Sequence, residues 1–342
     1  LTPMKRPILF SFLFLSSLTL AASLPGLRQQ VFQFHSAAQT QPPGAARTTP
    51  ARRARQPLEN FDIRADLNRS LAAPPDTEAT NQPARAARQT ENAVQEMLTA
   101  HPRTTIRWSS LTGTPSRMSN VSEALTQPSQ EAAETRGRRF LKEQRGLFRL
   151  RDDEVESLKT RHLDRTAHNG VTHLTYTQQV GGIDIFQGRF AIHLDRRGAV
   201  IAANGELMPE AAAHINRPDA RLSSAEALRL AAQAADTELT ATLAPRTESN
   251  TAAREISFGA VPNIATDATA RLVYFPLSAK SLRLAWEFTL WMQDTPDVYL
   301  IVIDAERGSL LYRYNYTTYE KPHGLVYTGD GPRPDMPHVN DN

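Results

Sequence analysis

The nine histidines are the residues of this chain that could hold a catalytic metal, and their spacing argues against it. A hydrolytic zinc site of the His-Glu-x-x-His type needs two imidazoles one helical turn apart, with a glutamate that activates the bound water. None of the nine histidines is followed by glutamate. The densest group, His162, His168 and His173, does not share a helical face and straddles a turn that leads into a strand. The sequence therefore predicts no metal site and no cofactor in this chain.

Other catalytic patterns are also missing from the sequence. Cysteine is absent, and no Gly-x-Ser-x-Gly motif supplies an exposed serine nucleophile. Gly181 and Gly182 fall in a hairpin rather than before a helix, so they do not form a phosphate-binding loop. The pair Asp152 and Asp153 sits where a helix should begin, and carboxylates there favour the helix dipole. We therefore predict that the chain has no catalytic residue and is not itself an enzyme.

The charge distribution argues against a nucleic-acid partner. The 342 residues carry a net charge of +3, but residues 1–70 contain nine Lys/Arg and three Asp/Glu, a balance of +6, which leaves −3 for the rest. Nucleic-acid binding needs positive charge clustered on a folded surface. The excess of positive charge here belongs to an N-terminal arm.

The N-terminus has the order of a secretory signal. Lys5 and Arg6 precede an apolar run from Ile8 to Leu20, and small residues follow at 21–23. We expect residues 1–23 to be a signal peptide and the protein to be secreted, without stable membrane insertion beyond that segment. An uncleaved membrane anchor is the alternative interpretation of the same pattern.

Residues 24–57 are expected to form a disordered basic linker. From Ser36 to about Gln56 the chain has almost no large apolar residue, so it cannot bury enough surface to offset the entropy of ordering. Arg52-Arg53-Ala54-Arg55 within it is either a protease-cleavage or binding site or, as we favour, a solvated charge run.

Periodicity and capping residues predict four helical segments, at about 84–100, 129–145, 152–158 and 223–239. Gly146 is placed as the C-cap of the second helix. The fourth begins with Ser223 and Glu226, the spacing of a capping box.

Alternating apolar residues predict an antiparallel hairpin between 171 and 204, with strands at 171–180 and 189–194 and reversals at Gly181-Gly182 and Asp195–Gly198. Four further strands are expected at 271–277, 282–291, 298–304 and 309–316. Helices followed by antiparallel strands predict an α+β fold: two antiparallel-sheet-plus-helix units, cystatin-like or PepSY-like, after the disordered arm.

Residues 172–210, reading THLTYTQQVGGIDIFQGRFAIHLDRRGAVIAANGELMPE, resemble the fungalysin/thermolysin propeptide motif. The stretches 272–277, 284–291 and 297–315 resemble the second, PepSY-related unit of fungalysin-like precursors. This resemblance implies an N-terminal pro-segment at 58–127, a propeptide-like unit at 128–210, a PepSY-like unit at 211–318, and at 319–342 a connector and the start of a peptidase domain. The residues that match the motif are Gln179, Gly182, Ile183, Phe186, Gly188, His193, Asp195, Gly198 and Asn204.

The resemblance implies a pro-region that assists folding of a zinc metallopeptidase and inhibits it, with zinc bound only in the peptidase domain. That domain would be the partner in cis, and maturation is expected between Tyr316 and Tyr327, in the polar connector Lys321, Pro322, His323 and Gly324. The alternative function is a free-standing secreted binding module or a protease inhibitor acting in trans.

Overall fold

The structure is a computed structural model that describes residues 57–65 and 82–318. The predicted signal peptide at 1–23, the linker including Arg52 to Arg55, and the connector from Lys321 to Gly324 lie outside these residues. Within the described part, no helix combines the length and the apolar character that crossing a bilayer requires.

The described residues form five α-helices and thirteen strands. The helices are α1 (Gln82–Ala100), α2 (Ala133–Glu143), α3 (Arg145–Phe148), α4 (Asp152–Ser157) and α5 (Ser224–Ala234). The strands are β1 (Phe61–Asp62), β2 (Thr104–Trp108), β3 (Pro115–Asn120), β4 (Lys159–Arg165), β5 (Thr172–Val180), β6 (Ile183–Leu194), β7 (Val200–Gly205), β8 (Thr247–Glu248), β9 (Ile256–Ser257), β10 (Thr269–Ser278), β11 (Ser281–Trp291), β12 (Val298–Asp304) and β13 (Leu310–Asn315).

The first sheet has the strand order β4-β5-β6-β7-β3-β2, and every neighbouring pair in it is antiparallel. Its inner face buries Leu174, Tyr176 and Ile192 against α2, α3 and α4. The Tyr176 hydroxyl donates to the carbonyl of Glu134 on α2 at 3.0 Å. Burial raises the pKa of Tyr176 to about 12, so this side chain stays neutral inside the first core.

The second sheet has the order β8-β9-β10-β11-β12-β13-β1, again with antiparallel neighbours. Helix α5 covers one face, where it buries Ala227, Leu228 and Ala231. The strand residues under it come from alternate positions of β11 and β12: Leu284, Trp286, Phe288, Leu290, Ile301 and Ile303. This period-two burial is what makes β11 an amphipathic strand.

Strand β6 joins the two sheets. Its second half pairs with β5 and β7, whereas Ile185 near its start pairs in parallel with Tyr274 of β10. The next residue, Phe186, stacks on Phe275 with ring centroids 5.3 Å apart and meets Tyr312 edge-on at 5.1 Å. These contacts begin a third apolar cluster on the face of the second sheet that α5 does not cover.

The first described residues pair with the last described strand. Strand β1 pairs with β13, with Phe61 opposite Arg313 and Asp62 opposite Tyr312. The Leu58 amide donates to the Tyr299 hydroxyl at 3.3 Å, across 241 residues of sequence. The edge of the second sheet is therefore built from the two extremes of the described chain.

These elements confirm the predicted α+β class, the hairpin and the four C-terminal strands. The capping box is also confirmed, because the Glu226 amide donates to Ser223 Oγ at 3.2 Å and the Ser223 amide donates to the Glu226 carboxylate at 2.9 Å. The division of the chain into units at 127/128 and 210/211 stays a prediction.

Other expectations were wrong. Helix α2 begins at Ala133 rather than 129, and α5 ends at Ala234 rather than 239. Gly146 is not a C-cap but lies inside α3, where a Cβ would come 2.7 Å from that of Ala93 on α1. Gly146 therefore permits two helices to pack closely. Strands β1, β3, β4, β8 and β9 and the first half of β6 were not predicted.

Candidate functional site

The hairpin of β5 and β6 carries the first motif residues. Val180 and Ile183 pair across Gly181 and Gly182, whose φ angles of 59° and 82° are typical of glycine in a tight two-residue turn. Behind the turn, the Gln179 side-chain amide donates to Asp184 at 2.6 Å. Gln179 and Gly182 therefore hold the shape of the turn.

Ile183 pairs with Val180 beside the turn, and a wide bulge in β6 positions the next two motif residues, Phe186 and Gly188. Thr177 pairs with Arg189 and Gln179 with Asp184, so a single residue of β5 lies opposite the four residues 185–188 of β6. Gln187 has a φ of 60° in this bulge. A Cβ on Gly188 would lie only 2.8 Å from that of Ile185, so a larger residue does not fit there. The bulge redirects Phe186 into the second sheet.

Gln178, the residue opposite the bulge, is a structural residue that the sequence analysis did not single out. Its side chain is buried, its Nε2 donates to the Met208 carbonyl at 2.6 Å, and its Oε1 accepts from the Met208 amide at 2.7 Å. This side-chain amide thus takes the place of a strand partner for residue 208, where β7 has already ended.

The reversal between β6 and β7 holds two more motif residues. The Asp195 carboxylate accepts hydrogen bonds from the amides of Arg197 and Ala199, each at 2.9 Å. Gly198 has a φ of 82°, and a Cβ there would collide with the Arg136 guanidinium and the Ser129 carbonyl. This turn is therefore packed directly against the segment that leads into α2.

The last two motif residues belong to a hydrogen-bonded row on the outer face of the first sheet. His173 and His193 are opposite each other on β5 and β6, and their Nδ1 atoms are 2.8 Å apart. His173 Nε2 is 2.9 Å from the Thr166 hydroxyl, and His193 Nε2 is 2.8 Å from Asn204 Oδ1. Four side chains thus form one chain of contacts across three strands.

One set of neutral tautomers satisfies this row. Because Asn204 Oδ1 accepts, His193 Nε2 carries a hydrogen and its Nδ1 is free to accept. His173 then donates from Nδ1, and its Nε2 accepts from the Thr166 hydroxyl. Every hydrogen bond in the row has one donor and one acceptor, so the row fixes the orientation of both imidazole rings.

The histidine cluster considered in the sequence is not what the structure brings together. His162 lies on β4 opposite Thr175 and His168 lies in the following turn, while His173 pairs with His193. Over residues 57–65 and 82–318, no group of three His, Asp or Glu side chains is arranged to hold a metal ion. The row supplies hydrogen bonds, and it lacks the three ligands that a metal site requires.

A double-mutant cycle on the histidine row tests its contribution to stability. We expect His173→Ala and His193→Ala to lower the free energy of unfolding by about 1 kcal/mol each, since each breaks a partly exposed hydrogen-bonded pair. The double variant should lose less than the sum, with a coupling of about 0.5–1.5 kcal/mol measured by urea denaturation. His162→Ala is the control and should change little, because this side chain is exposed. If the losses of the two single variants added up fully in the double variant, the two histidines would not interact as described.

The turn between β12 and β13 contains the most buried ion pair among the described residues. Arg283 of β11 donates from Nε to Asp304 at 2.8 Å and from Nη2 to Glu306 at 3.0 Å. Burial opposes ionisation of Asp304, but the side-chain hydrogen bond from Arg283 and the backbone amides of Arg307 and Glu306 outweigh it and hold its pKa below the usual value.

A cavity of about 610 Å³ opens on the second sheet beside β8 and β9. Arg271 lies on its wall and bridges Glu287 and Asp184 at 2.7 and 2.9 Å. The other lining side chains include the hydroxyl groups of Thr247, Ser249, Ser257, Thr269 and Thr289. Two further glutamates line the cavity: Glu248, which pairs with Arg254 at 2.7 Å, and Glu255.

The comparisons with known proteins agree with this hairpin. Residues 148–207 match the family model described as Fungalysin/Thermolysin Propeptide Motif. The chain is 28% identical over 195 residues to bacillolysin of Bacillus subtilis subsp. amylosacchariticus and of Bacillus subtilis (strain 168), which is 57% of this chain and 32% of each relative. The chain thus spans about a third of the length of these relatives.

A solved structure, the YpeB C-terminal domain of Bacillus megaterium, covers 67% of this chain and 96% of its own chain, at 13% identity and a TM-score of 0.29. This score is too low to support a statement about the fold, so the PepSY-like character of residues 211–318 stays a prediction. The matched family model describes a propeptide motif. Residues 148–207 therefore identify this chain as one that carries the fungalysin/thermolysin propeptide motif.

Proposed function

We propose that this chain is the pro-region of a secreted zinc metallopeptidase precursor, that it assists the folding of the peptidase domain, and that it keeps this domain inactive until cleavage. The observation that carries the proposal is the propeptide match over residues 148–207, the segment in which the structure builds the β5–β6–β7 hairpins. The similarity to bacillolysin over 195 residues supports the same function.

The architecture suits a partner that works by binding. Each sheet has its own apolar core, and β6 pairs with strands of both sheets. The nine motif residues stabilise turns, a bulge and a row of hydrogen-bonded side chains, and they do not form a reactive site. A preformed surface of this kind stabilises a partner's native state by binding it in preference to the unfolded state. Occupying the substrate cleft of that partner would then inhibit it, and zinc would be bound only by the peptidase.

Maturation would separate the two functions. We place the cut between Tyr316 and Tyr327, in the connector Lys321 to Gly324, because a polar connector that follows the last strand is a suitable site for proteolysis. Cleavage there leaves both sheets intact and releases the peptidase.

Expression of the complete reading frame tests the proposal. We expect a product in which this chain is followed by a His-Glu-x-x-His peptidase domain. The uncut product should be inactive. N-terminal sequencing of the active enzyme should show a mature start between residues 316 and 327. The peptidase domain expressed without this chain should yield little active enzyme. A mature start upstream of residue 300 would contradict the maturation site, and a reading frame without a peptidase would favour the free-standing binding module.

A further inference from the structure

Three of the large apolar side chains that remain exposed lie together at one end of the second sheet. Trp291 is 49%, Tyr314 40% and Tyr316 56% exposed. They belong to β11, to β13 and to the residue that directly follows β13. Exposed aromatic residues in a contiguous group are typical of a surface that binds another protein.

The strand register puts these residues on one face. Trp291 is opposite Val298, and Leu300 is opposite Tyr314. The Tyr316 amide donates to the Val298 carbonyl at 2.8 Å, and the rings of Tyr314 and Tyr316 meet edge-on with centroids 5.4 Å apart. We call these five residues the aromatic face.

The aromatic face is contiguous with a buried apolar cluster on the same side of the sheet. Phe186, Phe275 and Val302 form the buried cluster on this side of the sheet, and Tyr312, half-buried, stacks with Tyr314 at 6.4 Å. Helix α5 lies on the opposite side, over Trp286. The exposed residues are therefore the part of an apolar surface that the described residues leave open to solvent.

The position of this face indicates what covers it. Tyr316 is two residues before Thr318, the last described residue, and the sequence continues through residues 319–342. On the proposed function, the peptidase domain follows directly. The six residues 319–324, from the end of the described part to the end of the connector, span at most about 20 Å. The peptidase domain would therefore begin within that distance of the aromatic face.

We infer that the aromatic face is the surface on which the peptidase domain of the same precursor docks, through an apolar patch of its own; this inference rests on the proposed function. Trp and Tyr are enriched among the few interface residues that contribute most of the binding energy. The short tether raises the effective concentration of the partner to about the millimolar range. Docking is therefore strong in the uncut precursor and weaker once the connector is cleaved.

The test measures inhibition of the mature peptidase from the same precursor by the separately expressed chain 1–342. Trp291→Ser and Tyr316→Ser are each expected to raise the inhibition constant about tenfold or more. Trp108→Ser is the matched control: Trp108 is 43% exposed but lies on β2, the edge strand of the first sheet, and its replacement should leave inhibition unchanged. Circular dichroism and the unfolding midpoint verify that each variant is folded.

A photo-cross-linking amino acid at position 316, compared with one at 108, gives a second measurement that does not remove a contact. Position 316 should cross-link to the peptidase in the uncut precursor and position 108 should not. If the wild-type chain inhibits but both serine variants inhibit equally well and position 316 yields no cross-link, the docking surface is wrong. If the wild-type chain neither inhibits nor assists folding, the proposed function itself fails.

Discussion

Replacing Asp304 by alanine is expected to lower the free energy of unfolding by about 3 kcal/mol, because it leaves the guanidinium of Arg283 without its main partner. Only 2% of the Asp304 side chain and 12% of the Arg283 side chain are exposed. The same carboxylate accepts from the amides of Glu306 and Arg307 at 2.8 Å each, so the β12–β13 turn also loses its hydrogen bonds. Urea denaturation at pH 7 measures the loss.

The pH dependence of this effect has a defined sign. The folded state lowers the pKa of Asp304, so the unfolded state binds more protons near pH 4 and the stabilisation falls as the pH falls through the folded-state pKa. The stability difference between the wild type and Asp304→Asn should therefore be full at pH 6 and shrink below pH 4. Asp153→Ala is the control: its pair with Arg151 is exposed and its only other contribution is the helix-dipole effect at the start of α4, so this variant should lose much less stability than Asp304→Ala. A difference that grows in acid would refute the assignment.

Replacing Gly198 by alanine is expected to cost about 2–4 kcal/mol of unfolding free energy. Part of this cost is backbone strain, because Gly198 has a φ of 82° and an L-residue with a side chain is strained there. The larger part is steric, since the new methyl group overlaps the Arg136 guanidinium, which donates to the Ser129 carbonyl at 2.9 Å. The turn and the entrance to α2 cannot both keep their positions.

Gly181→Ala separates the two causes. Gly181 also has a positive φ, of 59°, but its Cβ would meet no atom within 4 Å. We expect this variant to lose only about 1 kcal/mol from strain. If Gly198→Ala were no more destabilising than Gly181→Ala in parallel urea titrations, the close packing of the β6–β7 turn would be disproved.

The sequence predicted the hairpin but not its register, because residues 185–188 of β6 form a bulge. A two-residue turn with Val180 opposite Ile183 would place His173 opposite Phe190 if the strands paired without interruption. The structure instead places His173 opposite His193, because residues 185–188 of β6 bulge opposite Gln178. The histidine row was therefore not predictable from a regular hairpin.

A signal for the bulge was nevertheless present. Leu174 and Tyr176 must share a buried face with Phe190 and Ile192, whereas an uninterrupted hairpin would put Leu174 opposite Arg189. Only an odd shift in register resolves that conflict. The size of the shift depends on Phe186 reaching Phe275, a contact between residues 89 positions apart, which no local pattern contains.

The capping box of α5 and the alternating burial of β11 were predictable because both depend on residues that are close in sequence. Ser223 and Glu226 interact within one helical turn, and the buried face of β11 repeats every second residue, so both are local properties. Gly146 was assigned to a cap because glycine after a helix is commonly one. Its contact with Ala93 is tertiary, so the local sequence could not reveal it.

The pairing of β1 with β13 has a consequence for how this body assembles. Its two strands come from opposite extremes of the described chain, so a ribosome must release nearly all of it before the sheet edge can close. Contacts of such long range slow folding. Until they form, or after a protease removes residues 57–65, β13 presents unpaired amides and carbonyls that a second chain could pair with. Residues 61 and 62 of β1 thus protect β13 against self-association.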